Sequence, residues 1–164
     1  MIEQQERIEA RAQERARTAP VRNARVGDWM SVGTPTVSPG MPLAHAYNLM
    51  VQEQVRRLPV VEGERLVGVI TRGDLRGARP SHVPMMGGAD PDVAANSLQV
   101  RQVMTRRSQA VTADMSMVDA VRLMLDQHLT SLPVVDASDR PVGMLTESDV
   151  FRLLLAREAE GGAS

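Results

Sequence analysis

Two threonine–aspartate pairs carry the groups best suited to chemistry in this chain. Thr71 and Asp74 stand three residues apart, as do Thr146 and Asp149. Each pair follows an apolar run, Val67-Gly68-Val69-Ile70 in one case and Val142-Gly143-Met144-Leu145 in the other, that reads as a strand. A hydroxyl and a carboxylate where a strand turns into a helix have two uses. The threonine can cap the helix start, and the aspartate can complement its dipole. The same junction leaves backbone N–H groups nearby and favours negative charge, so a ligand phosphate could also sit there. Either pair alone leaves both uses open.

The charges around the two pairs differ. Arg56 and Arg57 precede Leu58, and Arg72 lies inside the first Thr-x-x-Asp; Thr130, Ser131 and Glu147 occupy the matching places in the second. An arginine fork suits a phosphate bidentately, so phosphate is expected at the first pair. A solvated arginine cluster is the plainer alternative. No catalytic constellation accompanies them. His45, His82 and His128 have no counterparts in the other half and no metal-ligand spacing, and no nucleophile-elbow or phosphate-loop pattern occurs. No catalytic residue, no metal site and no enzymatic activity are expected.

The elements that must position these pairs are written twice. Leu58-Pro59-Val60-Val61 returns as Leu132-Pro133-Val134-Val135, 74 positions on, and Asp74 returns as Asp149, 75 positions on. The extra residue falls in the turn between the two apolar runs, where an insertion costs little. Upstream, Thr36-Val37-Ser38 matches Ala110-Val111-Thr112, and Trp29-Met30 matches Val103-Met104. Leu43, Ala46, Tyr47 and Met50 have helical spacing, and Met117, Ala120, Val121 and Met124 repeat it. Each unit therefore reads as short strand, amphipathic helix, strand, turn, strand, helix. Two copies argue for a packed pair rather than an open array. His45 and His128 are expected on the repeat helices, at the surface or rim.

This order, with its L-P-V-V strand and following G-h-h-T-x-x-D, resembles the CBS domain, named after cystathionine β-synthase. Two in tandem resemble a CBS pair, or Bateman module, of the stand-alone bacterial two-CBS type. The resemblance implies an α/β fold in which two β-α-β-β-α repeats pack about a pseudo-two-fold axis. It implies that an adenosine-containing ligand (AMP, ADP, ATP or S-adenosylmethionine) binds in the clefts between the repeats. Carried over, phosphate or ribose contacts fall on Thr71 and Thr146, and ribose hydroxyl contacts on Asp74 and Asp149. Adenine recognition falls on Thr36 and Val37, or Ala110 and Val111. The basic pair that nucleotide-binding relatives carry falls on Arg56 and Arg57. The resemblance also implies a homodimer joined through the repeat helices, for which Leu49, Leu123 and Leu125 lie outside the inner stripe.

Composition sets outer bounds. A repeat of about 55 residues would bury only a marginal core alone, so pairing is expected. With aromatic residues at 2% against 43% hydrophobic residues, that core must be aliphatic. The net charge of −1 gives no general push toward nucleic acid or membrane. Nucleic acid is not an expected partner. The absence of cysteine excludes disulfides and thiolate chemistry. No apolar run reaches the roughly 18 residues that span a bilayer, and the charged N-terminus is unlike a signal peptide. A cytoplasmic location is expected by default.

The expected divisions are a charged helical arm at 1–24, repeat 1 at 25–79, a Pro/Gly-rich linker at 80–98, repeat 2 at 99–157 and a disordered tail at 158–164. The function expected is that of a regulatory sensor with no required cofactor. It would bind an adenosine-type ligand and pass its state to a regulated protein through a conformational shift. The alternative is a ligand-free module for homodimerisation and partner docking.

Overall fold

The computed structural model describes residues 23–78 and 98–161. The N-terminal arm up to residue 22, the linker from 79 to 97 and the last three residues lie outside the described residues. The elements run α1 (Val26–Trp29), β1 (Ser31–Val32), α2 (Leu43–Gln52), β2 (Arg57–Glu62), β3 (Arg65–Thr71) and α3 (Arg72–Gly77). They continue with a 3₁₀ turn (Val100–Gln102), β4 (Thr105–Arg106), β5 (Val111–Thr112), α4 (Met117–Asp126), β6 (Ser131–Val135), β7 (Pro141–Thr146) and α5 (Glu147–Gly161). The strand–helix–strand–strand–helix order expected of each repeat is present in repeat 2, and repeat 1 follows it with its first strand, expected at Thr36-Val37-Ser38, reduced to a single bridge at Val37. α5 continues through residues 158–161, where the tail was expected to be disordered. Glu158, Ala159 and Glu160 are good helix formers and carry the last turn on.

The chain folds into two compact units that cut across the sequence repeats. One holds the described residues up to Val32, with Gln109–Ala137 and those from Val142 on. Its sheet has the order β1-β7-β6-β5, with β1 antiparallel to β7 and β5 parallel to β6. β6 is buried at all five positions, as an interior strand with a continuous apolar run should be. Val26, Trp29, Val111, Met117, Ala120, Met124, Leu132, Val134, Leu145 and Leu153 form the core.

The other unit holds the described residues between Gly33 and Ser108, with Ser138–Pro141. Its sheet has the order β2-β3-β4, and Val37 adds a parallel bridge to Val60 on the far side of β2. Val37, Leu43, Ala46, Met50, Leu58, Val60, Ile70, Leu75 and Val100 form its core. Neither core contains Phe or Tyr, and the only aromatic in either is Trp29, so both are built from aliphatic side chains and methionine.

Each unit uses a short segment that precedes the other repeat in sequence. Leu43 at the start of α2 donates its N–H to Leu98 O at 2.9 Å, and Met117 at the start of α4 donates to Ala24 O at 2.8 Å. These bonds satisfy helix-start donors that Pro42, lacking a side-chain cap, leaves open at α2. The two-residue strands β4 and β1 then lie flat on β3 and β7 at glycines. A Cβ at Gly68 would sit 2.5 Å from Thr105 O, and one at Gly143 would sit 2.6 Å from Ser31 O. The glycine of each G-h-h-T sequence is there to admit that backbone.

α2 and α4 also end alike. Val55 and Leu129 donate back to Met50 O (3.0 Å) and Met124 O (2.8 Å), and Gln54 and His128 donate to Val51 O and Leu125 O, both at 3.2 Å. This is a Schellman ending, whose turning residue takes a left-handed conformation. Here Gln54 (φ 55°) and His128 (φ 53°) take it. His128 is thus an exposed turn residue beyond α4, not a helix residue as expected, because α4 stops at Asp126. His45 does lie on α2 and is exposed.

Candidate functional site

In the unit built on β2 and β3, strand pairing gathers the predicted residues at one end of the sheet. Arg57 pairs with Thr71 across the hairpin, and Arg72 donates its backbone N–H to Arg56 O at 2.9 Å. Val37 lies beside Val60, donating its N–H to Pro59 O (3.0 Å) and accepting from Val61 N–H (2.8 Å). The parallel ladder stops there. Pro59 has no N–H with which to continue it back past Val37, so Thr36 flanks β2 as an exposed edge. Thr36, Arg56, Arg57, Thr71, Arg72 and Asp74 are brought to this end. The Val37 side chain is buried and its backbone is committed to β2.

Thr71 and Asp74 form a reciprocal capping box at the start of α3. Asp74 N donates to Thr71 Oγ1 at 3.2 Å, while Asp74 Oδ2 accepts from Thr71 N and Thr71 Oγ1, each at 2.8 Å. The capping use of this motif, read from sequence as one of two, is therefore real. It occupies only one carboxylate oxygen: among the described residues no donor is recorded at Oδ1, and Asp74 keeps partial exposure. The Arg72 guanidinium lies 5.9 Å from the Tyr47 ring centroid, within cation–π range. Its Nε is buried without a partner among the described residues. Tyr47, on α2, was read from sequence only as part of the helical stripe.

In the other unit the same scaffold carries Ala110, Val111, Thr146 and Asp149. Val111 pairs with Val134 and Thr112 with Val135, Pro133 stops the ladder, and Ala110 flanks its end. Glu147 donates its N–H to Thr130 O at 3.2 Å, the counterpart of the Arg72–Arg56 bond. Asp149 Oδ2 accepts from Thr146 N and Thr146 Oγ1, both at 2.7 Å. Asp149 Oδ1 accepts from Ser31 Oγ at 3.3 Å and from an Arg152 guanidinium nitrogen at 2.7 Å. After β5, the exposed Asp114 carboxyl is held below the usual carboxylate range, chiefly by the Thr112 hydroxyl and then by its own backbone N–H. The three-arginine setting of one site is replaced here by Thr130, Ser131 and Glu147, as the sequence implied.

Sequence reading missed Ser31 and Arg152. A signal for Arg152 was present: it stands three residues after Asp149, where Gly77 stands three after Asp74. Nothing local marked Ser31, which is 118 residues from its partner.

The CBS domain family matches residues 26–81 and 100–156. With two matched repeats on the fold just described, the chain belongs to the CBS domain family. It is 34% identical over 131 residues to arabinose 5-phosphate isomerase KdsD of Pseudomonas aeruginosa, covering 78% of this chain and 37% of that enzyme. It is 30% identical over 138 residues to the CBS domain-containing protein YhcV of Bacillus subtilis, covering 84% of this chain and 91% of YhcV. Among solved structures it is similar to the CBS-pair protein CBSX2 of Arabidopsis thaliana in complex with AMP. That match has a TM-score of 0.70, 29% identity, and coverage of 82% of this chain and 98% of the other. The chain spans 21% to 37% of the length of the first enzymes among its curated relatives. No helix among the described residues is long and apolar enough to cross a membrane.

Proposed function

We propose that this chain is a regulatory CBS pair that binds an adenosine-containing ligand and signals its presence by a change in conformational balance. The observation that carries the reading is the sheet end at Thr71 and Asp74. There, among the described residues, an aspartate oxygen without a donor lies on the same Thr-x-x-Asp as an arginine whose Nε is buried without a partner. A nucleotide supplies both complements, with ribose hydroxyls for the carboxylate and phosphate oxygens for the guanidinium. The complex of CBSX2 with AMP supports the ligand class. Thr36 and Ala110 are the matching edges at which adenine would meet backbone. Arg56, Arg57 and Arg72 favour AMP, ADP or ATP over S-adenosylmethionine, because charge-assisted bonds to phosphate are about twice as strong as neutral ones. Any ligand shifts the conformational equilibrium only by its differential affinity for the two states.

A thermal-shift panel with AMP, ADP, ATP, S-adenosylmethionine and NADH tests this reading. A ligand at 100 times its Kd stabilises the protein by about 2.7 kcal/mol, which raises Tm by several degrees in a chain of this size. A flat response across the panel would refute the adenosine reading.

A second reading, homodimerisation with docking to a regulated protein, is favoured by one surface. On α5, Phe151, Leu154 and Leu155 share a face at helical spacing and are 59%, 51% and 68% exposed. Leu125 on α4 is also exposed. Leu49 and Leu123, by contrast, pack against their own cores, so the proposed dimer face centres on α5. Light scattering at tens of micromolar on the wild type and Phe151→Glu tests it. The wild type is expected to be a dimer and the variant a monomer, and a monomeric wild type would refute it.

A further inference from the structure

The two motif aspartates are in different conditions. Asp149 is 0% exposed, and four donors surround its carboxylate: Thr146 N, Thr146 Oγ1, Ser31 Oγ and Arg152. A carboxylate offers about four lone-pair sites, so this one has none left for a ribose diol. Among the described residues, Asp74 receives only the two Thr71 donors. The cause lies in two substitutions between the repeats. Gly77 stands where Arg152 stands, so the guanidinium three residues after the aspartate has no counterpart on α3. Thr105, on β4 opposite Val69, stands where Ser31 lies on β1 opposite Met144, yet no bond from Thr105 to Asp74 is recorded among the described residues. Ser31 is held in place by Gly143, which lets its backbone lie flush on β7.

We infer that Asp149 is a positioning residue that fastens β1 to the start of α5, that Ser31 and Arg152 thereby close the second Thr-x-x-Asp to ribose, and that each chain takes up one adenosine-type ligand, at Asp74. The stoichiometry part rests on the proposed function; the fastening part does not. Displacing either donor to admit a ligand would strand a buried Asp149 charge with fewer partners. The ligand would have to replace bonds already made rather than add new ones.

Calorimetry with AMP and ATP on the full chain, paired with thermal melting, tests this. The wild type is expected to bind one nucleotide per chain. Asp74→Asn is expected to weaken binding at least about tenfold. Asp149→Asn is expected to keep stoichiometry and affinity while melting at a lower temperature than Asp74→Asn. The Ser31→Ala, Arg152→Gly double variant, which leaves Asp149 only its two Thr146 donors, is expected to take up a second nucleotide, held more weakly than at Asp74 because Thr130, Ser131 and Glu147 stand where the arginines do. Two nucleotides per wild-type chain, equal loss of affinity in the two Asn variants, or no second nucleotide on the double variant would overturn the inference. If the wild type binds neither nucleotide, the adenosine reading fails and melting decides the fastening role: equal Tm losses in Asp149→Asn and Asp74→Asn would overturn that too.

Discussion

The two units share one plan and differ in how their aspartates are spent. Around β7 and α5, Asp149 serves the fold: it is buried, saturated, and ties residues far apart in sequence. Around β3 and α3, Asp74 caps a short helix with one oxygen, and its other oxygen has no donor among the described residues. A duplicated motif need not carry a duplicated function. The side chains that decide it, Ser31, Gly77 and Arg152, lie outside the motif itself.

The largest expected effects test the shared part of the plan. Gly143→Ala and Gly68→Ala each force a Cβ against a backbone carbonyl of the strand laid over it. Backbone cannot yield as a side-chain tip can, so each should cost about 3 kcal/mol in urea unfolding. Gly77→Ala, whose Cβ meets nothing within 4 Å, should be neutral or slightly stabilising. If all three behave alike, the close approach of β1 and β4 is not what these glycines serve.

The next effect sharpens the difference between units. Asp149→Ala leaves the Thr146 N–H, Ser31 and Arg152 without their acceptor and should cost about 2–3 kcal/mol. Asp74→Ala removes a capping partner that is partly exposed and should cost about 1 kcal/mol. Chemical denaturation of both variants reads the ratio directly, and equal costs would erase the distinction.

The smallest effect concerns the helix endings, where the units are alike. Gln54→Gly and His128→Gly relieve a left-handed conformation in a side-chain-bearing residue. Each should stabilise by about 0.5–1 kcal/mol, less the entropy that glycine adds to the unfolded chain. A loss of stability in both would mean that the side chains matter more than the backbone geometry.

Much of this was legible from local pattern. The strands at Leu58 and Leu132, the helices at Leu43 and Met117, and the capping by Thr71 follow from spacing and residue type, because their causes lie within a few residues. What escaped lies at long range. The roles of Gly68 and Gly143 depend on strands 37 and 112 residues away. The exchange of segments 24–32 and 98–106 leaves no local trace, since two-residue strands have no periodicity to read. His128 was placed on a helix because the Schellman ending here uses neither Gly nor Asn, its usual markers. Leu49 and Leu123 looked free for a partner on a helical wheel, whereas each packs on its own core.

The central claim is that the Asp74 end takes a phosphorylated adenosine ligand through its arginines. Calorimetry of adenosine, AMP and ATP on the wild type, Arg57→Ala and Arg72→Ala tests it most directly. The account predicts that the wild type binds AMP and ATP at least about tenfold more tightly than adenosine, given 1.5–3 kcal/mol for a charge-assisted bond, and that each variant narrows that gap. Equal affinity for all three on the wild type, or an unchanged ranking in both variants, would contradict it.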